Sequence, residues 1–274
     1  MFDPKTNKYP YTEFTDGHYI HTGDKYNHEF NKDYPYVETS KWHKFKSFWF
    51  KIFFNVIVVP VSNTRLGLRV KGRNNLKAHR ETIKNGIISC CNHVHYWDFL
   101  GIYYGVRHYQ PNFLVWDKNI NGGFGPCMRL LGGIPIPEHD LGGQKRFTKE
   151  VRGLLSDKQW LHIYSEGSMW EYYRPIRPFK RGLAVYAIKC DKPILPMAFT
   201  YRRPNWVRRT IFRQIAVFTL NIGEPIYRNK DLPYDEQERD LITRAHEAVC
   251  RLAGFADGEN IYEPIFNNSK RIEY

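Results

Sequence analysis

His93 and Asp98 stand five residues apart in the run Asn92-His-Val-His-Tyr-Trp-Asp98, directly after an apolar stretch at 86–91. If that stretch is a strand and Asp98 opens the next helix, both side chains lie at a strand's carboxyl end, where open α/β sheets hold their ligands. A carboxylate one turn away can accept from one imidazole nitrogen and fix the tautomer. The other nitrogen is then left to take a proton from an incoming hydroxyl, as a general base. Spacing alone does not separate such a pair from a chance one. The same run offers metal-ligand types in Cys90, Cys91, His93, His95 and Asp98. Neighbouring strand residues point to opposite faces, so Cys90 and Cys91 cannot aim at one ion, and no metal is expected. No Gly-x-Ser-x-Gly elbow supports a serine nucleophile, and each cysteine sits in an apolar run where packing is the default role.

A second constellation, Tyr164-Ser-Glu-Gly-Ser-Met-Trp170, again follows an apolar run. Glu166 beside Gly167 offers an acceptor for a substrate hydroxyl, and backbone N–H groups there could face an anion. An ordinary turn would read the same way. Downstream, Arg174, Arg177, Lys180 and Arg181 suit phosphate or carboxylate handling, or form a solvated basic face.

The elements that must position these residues alternate, as in an α/β domain. Strands are expected at 67–70, 86–91, 112–116, 134–136, 160–164, 194–200 and 215–222. Helices are expected at 98–106, 125–131, 144–155, 183–189 and 235–252. In the last helix Leu241, Ile242, Ala245, Ala248, Val249 and Leu252 recur at helical spacing. The chain divides into a polar, Tyr/His-rich extension at 1–40, an apolar segment at 41–62 and a catalytic domain at 63–274. The apolar run 48–61 is interrupted by Lys51 and Asn55. As a helix it would reach about 21 Å, short of a roughly 30 Å hydrocarbon core. Its collar of Lys41, Trp42, His43, Lys44 and Lys46 suits a helix lying in a membrane interface; a buried first core helix is the alternative.

Composition narrows the partners. Among 274 residues, Lys plus Arg exceed Asp plus Glu by 41 − 28 = +13, and 16% are aromatic. Hydrophobic residues at 42% and charged residues at 25% exclude a disordered or collagen-like chain, and the charge balance points to an anionic partner. Five cysteines, an odd count, fit a reduced compartment better than a secreted disulfide framework.

Taken in order, the pieces form a pattern: Asn92-His93 with Asp98, then Gly132-Gly-Ile-Pro-Ile136, Glu166-Gly-Ser, Phe179-Lys-Arg-Gly182 and Ile194-Leu-Pro196. This order closely resembles the 1-acylglycerol-3-phosphate acyltransferase family, over about residues 63–225. The resemblance implies αβ layers around a twisted mixed sheet. It implies His93 as the base, Asp98 as its holder, and direct attack of a lipid hydroxyl on an acyl thioester with no covalent enzyme intermediate. Glu166, Gly167 and Ser168 would line the acceptor site, Pro196 would shape the pocket, and Lys180 and Arg181 would meet an anionic headgroup. No cofactor is implied; acyl carrier protein or coenzyme A brings the acyl group. The expected setting is peripheral or monotopic, at the anionic cytoplasmic face of a membrane.

Two departures stand out. Ser165 replaces the proline that usually precedes the glutamate. Glu138 stands where the second block normally ends in a phosphate-facing arginine, which questions the acceptor rather than the reaction. A phosphate-free lyso-lipid, glycolipid or aminolipid, is therefore the alternative acceptor. From another class, a non-catalytic nucleic-acid binder would rest on Arg202, Arg203, Trp206, Arg208, Arg209 and Arg213. The order of motifs outweighs that charge run, and no nucleic-acid partner is expected.

Overall fold

The computed structural model describes residues 23–106 and 108–257. Seven strands form one mixed sheet: β1 (Arg69–Lys71), β2 (Ile87–Cys91), β3 (Asn112–Trp116), β4 (Gly133–Ile136), β5 (Trp160–Tyr164), β6 (Ile194–Arg202) and β7 (Val217–Ile222), in the order β1-β7-β6-β2-β5-β3-β4. Only the β6–β7 pair is antiparallel. Every expected strand is present, with ends shifted by up to two residues. Among the expected helices, Asp98–Val106 keeps its bounds and Gly125–Leu130, Leu141–Ser156, Gly182–Lys189 and Tyr234–Leu252 differ by three residues or fewer. Short helices at Arg73–Ala78, Arg80–Lys84, Asp117–Asn121 and Trp206–Thr210 were not expected, because five or six residues carry too little periodicity to read.

Strand β2 is buried along its whole length, between β5 and β6. Alternation sends its side chains into two separate cores. Ile87 and Cys91 join the core under helix Asp98–Val106, while Ile88 and Cys90 join the one under helices Leu141–Ser156, Gly182–Lys189 and Tyr234–Leu252. The two adjacent cysteines thus face opposite layers. In parallel β2 and β5, Cys91 pairs with Tyr164. Both chemistry-bearing loops consequently leave the sheet from adjacent strand ends, on the same edge.

Two expectations about the N-terminal part change. Residues 1–22 lie outside the described residues, but 23–40 are part of the fold: Tyr36 is fully buried, and Arg129 donates to Pro35 O and Tyr36 O at 2.6 Å each. The apolar segment is a longer helix than the run suggested, 26 residues from Lys41 to Leu66, long and apolar enough by length and composition to cross a membrane. At 1.5 Å per residue it reaches about 39 Å, so the length argument against crossing does not hold. One stripe packs on the domain, with Phe54 against Phe99 and Tyr103. A π-turn at Phe54–Val58 interrupts the ladder there, and the Asn55 side chain donates to Lys51 O at 2.8 Å. The other face is apolar and open: Trp42, Phe45, Phe48, Trp49, Ile52, Phe53, Val56, Ile57 and Val61 are 41–66% exposed.

Candidate active site

Asn92 extends β2 past its last residue. Its side chain accepts from Phe199 N at 2.8 Å and donates to Phe199 O at 3.1 Å, fastening the loop to β6. The chain then turns, and Asp98 starts the next helix with its N–H donating to His95 O. This turn brings Asp98 Oδ2 within 2.8 Å of His93 Nδ1. Oδ2 also accepts from Val94 N at 3.1 Å, and Oδ1 accepts from the Tyr164 hydroxyl at 2.7 Å. A carboxylate so surrounded only accepts, which assigns the proton to Nδ1 and leaves the Nε2 lone pair of His93 available.

Burial pushes the Asp98 carboxyl upward, but the His93 charge and the hydrogen bonds from His93, Tyr164 and Val94 outweigh it and hold the group below the usual range. The Tyr164 hydroxyl is driven far up by burial and then by Asp98, so it stays a donor. His93 itself is about a quarter exposed, against 1% for Asp98. Among the described residues no cluster has metal-site composition and geometry.

His93 opens on a cavity of about 300 Å³, within the range of small-ligand sites. Its walls are mostly apolar, with Phe99, Tyr103, Phe113, Met128, Leu131 and Ile163 among them. The charged or titratable side chains on it besides His93 and its holder include Glu138, and among the described residues no lysine or arginine lines it. Glu138 Oε1 accepts from Trp116 Nε1 at 2.8 Å, which fixes the carboxylate at the wall.

The second loop differs from its expected role. Gly167 lines the cavity, with its N–H donating to Tyr164 O and φ at +85°, a conformation costly for other residues. Glu166 and Ser168 instead lie behind the wall, 4% and 1% exposed. Glu166 Oε1 accepts from Arg177 N at 3.0 Å; Oε2 accepts from Arg177 Nη2 at 3.0 Å and from His93 N at 3.2 Å. Ser168 Oγ accepts from Arg177 Nη1 at 2.9 Å, and the same guanidinium reaches Ser168 O. Its plane also covers Trp170, 4.6 Å from the ring. The carboxylate placed at the acceptor by sequence is thus a brace between the two loops, because a buried charge needs its ionic partner close by.

The expected headgroup cations are also displaced. Lys180 runs beside Gly167, where an added Cβ would meet its Cε at 3.3 Å. Arg181 is 78% exposed and paired with Glu238 at 2.9 Å. Neither forms part of the cavity wall, and Pro196 pairs with Cys90 in mid-strand rather than at a pocket.

A buried polar chain beneath the pair was not foreseen. Trp160 Nε1 donates to Ser89 Oγ at 2.7 Å, and Ser89 Oγ lies 2.8 Å from His162 Nδ1. Cys91 Sγ donates to Asn92 O at 3.1 Å and lies 3.6 Å from His162 Nε2. Burial lowers the His162 pKa to about 3, so its ring is neutral at pH 7. No spacing in the sequence marks this chain, which exists only through the β2–β5 register.

Residues 67–200 match the family model described as Acyltransferase. Among solved structures, the fold is similar to that of the 1-acyl-sn-glycerophosphate (LPA) acyltransferase PlsC from Thermotoga maritima. The TM-score is 0.51 at 18% identity, over 80% of this chain and 89% of that one. No curated protein matches the chain.

Proposed function

From the match of residues 67–200 to the acyltransferase family model, we propose that this chain is an acyltransferase that moves a fatty acyl chain from a thioester to the free hydroxyl of a lyso-lipid. The donor is carried by acyl carrier protein or coenzyme A, and no resident cofactor takes part. The observation that carries the reading is the His93–Asp98 pair, whose available Nε2 opens on an apolar cavity. In the reaction His93 Nε2 takes the acceptor hydroxyl proton as the oxygen attacks the thioester carbonyl. The tetrahedral intermediate expels the thiolate, which recovers the proton from the imidazolium. Asp98 holds the ring and stabilises its charge.

The acceptor is a membrane lipid on this reading. The open apolar face of helix Lys41–Leu66 would lie in the interface, and the +13 balance suits an anionic cytoplasmic leaflet. The resemblance, and the activity named for the similar PlsC structure, favour 1-acylglycerol-3-phosphate. Glu138 on the wall favours a second reading, a lyso-lipid with no phosphate near the hydroxyl. The test is a panel of lyso-lipids crossed with both donors, read by mass spectrometry, with His93→Ala as control. An acylated lyso-lipid that the folded His93→Ala variant makes at least about a hundredfold more slowly is the expected result. Product formation that survives His93→Ala overturns the mechanism, and no product from any pair overturns the substrate class.

A further inference from the structure

The end of β6 and the β6–β7 connection carry six basic or aromatic residues that the sequence presents as one patch, and the structure splits them into two groups. Arg202 is internal wiring: Nε donates to Thr219 Oγ1 at 2.8 Å and Nη2 to Phe218 O at 3.0 Å and to Gly67 O. Arg208 donates to Thr64 O at 2.6 Å and Arg65 O at 2.8 Å. Gln214 Nε2 also donates to Arg65 O. These carbonyls close the last turn of helix Lys41–Leu66, where helix ends leave acceptors unsatisfied. The connection is therefore bolted to the end of the helix whose open face is apolar.

The other group points outward. Arg203, Arg209 and Arg213 are exposed, and among the described residues none makes an ion pair. Beside them Trp206, Ile211 and Phe212 are 68%, 65% and 52% exposed. Three large apolar side chains held in water by a short, well-tied connection mark a contact surface rather than a packing remnant. A nucleic acid would use the arginines and stack on Trp206, but it offers little to Ile211. A lipid interface uses all six: apolar side chains enter the acyl boundary while arginines meet anionic headgroups.

We propose that the 203–213 connection is a second membrane contact, binding anionic lipid beside helix Lys41–Leu66. The inference rests on the reading that the chain works at a membrane. It is tested with the full-length protein and phosphatidylcholine vesicles, with and without phosphatidylglycerol, by co-sedimentation at low and high salt. Each arginine at an anionic surface contributes a factor of about five, so combining Arg203→Gln, Arg209→Gln and Arg213→Gln should weaken binding to anionic vesicles on the order of a hundredfold at low salt. Binding to neutral vesicles should be unchanged. Combining Trp206→Ser, Ile211→Ser and Phe212→Ser should weaken both. Turnover of a micellar acceptor should stay at wild-type level in both variants, since neither touches the catalytic cavity. Wild-type protein that binds anionic vesicles while both variants bind equally well overturns the second contact alone. Loss of DNA retention in the arginine variant, with vesicle binding intact, assigns the patch to nucleic acid and also overturns it. Wild-type protein that ignores both vesicle types overturns this inference together with the membrane reading.

Discussion

The Tyr164 ring lies against the His93 imidazole, centroids 3.9 Å apart and planes 16° from parallel. The same side chain donates its hydroxyl to Asp98 Oδ1. One residue at the end of β5 thus sets both the tilt of the His93 ring and the second side-chain hydrogen bond of Asp98. Register explains how: Tyr164 pairs with Cys91, two residues before His93.

Tyr164→Phe separates these two contributions. It keeps the stacking and removes only the donor to Asp98, a charge-assisted bond of about 1.5–3 kcal/mol. Expressed at the transition state, that is a fall in kcat of roughly ten- to a hundredfold, with KM little changed. Asp98 would also lose one of the bonds holding its pKa down, so the acid limb of the rate profile should move to higher pH. Wild-type kcat and an unmoved acid limb would mean that the hydroxyl plays no positioning part.

The Arg177–Glu166 brace makes a claim about stability. Both side chains are at most 5% exposed. Removing the cation in Arg177→Met leaves a buried carboxylate without a counter-charge, at a cost of about 3–5 kcal/mol. Adding Glu166→Gln to Arg177→Met should recover a large part of that loss, because a neutral amide is far cheaper to bury. Urea midpoints for the four members of the cycle give the coupling directly. Additive losses would contradict a brace.

The frame was legible because β2 through β6 are short apolar runs cut by clear turn signals, and helix Tyr234–Leu252 carries a one-sided apolar stripe. His93 and Asp98 were legible because their contact is local, spanning a single turn. The bracing position of Glu166 was not legible for the opposite reason. Its partners are Arg177 and the His93 backbone, and nothing in a run of residues says whether a carboxylate faces a ligand or a neighbour across the fold. The Ser89–His162–Cys91 chain and the Trp116–Glu138 bond were invisible for the same reason. The helix Lys41–Leu66 was read too short because its ends are polar, while helix length follows the backbone ladder and not only the apolar run.

His162 gives the pH dependence. Its pKa in the fold is about 3, lowered by burial, against an ordinary value of 6.5. Below pH 6.5 the unfolded chain binds a proton that the fold excludes, so stability is lost as pH falls from 6.5 toward 3. Each unit corresponds to about 1.4 kcal/mol per excluded proton. Unfolding free energies at pH 7, 6, 5 and 4 should therefore fall more steeply in the wild type than in His162→Gln, by close to one proton's slope between pH 6 and 4. Parallel profiles would show that His162 takes up its proton without opening the fold.

Glu138 is the wall residue on which the two acceptor readings differ. It shares the wall with His93, its carboxylate is tied to Trp116, and among the described residues no lysine or arginine joins that wall. A phosphate monoester carries about 1.5 to 2 negative charges near neutral pH. Two unit charges 4 Å apart interact by about 4 kcal/mol at an effective dielectric near 20, and at a side chain more than a third exposed solvent reduces this further. Even a quarter of that figure is worth about fivefold in binding. Glu138→Gln keeps an oxygen for Trp116 and removes the charge. If the acceptor has no phosphate near its hydroxyl, Glu138→Gln should change kcat/KM for that lipid by less than about twofold, and improve it for lysophosphatidate about fivefold or more through KM. Glu138→Arg should improve lysophosphatidate further. If the natural acceptor is lysophosphatidate, its phosphate must sit clear of Glu138, and Glu138→Gln should leave its kcat/KM unchanged. The two acceptors therefore separate on one substitution measured with two substrates, and neither result disturbs the His93–Asp98 pair.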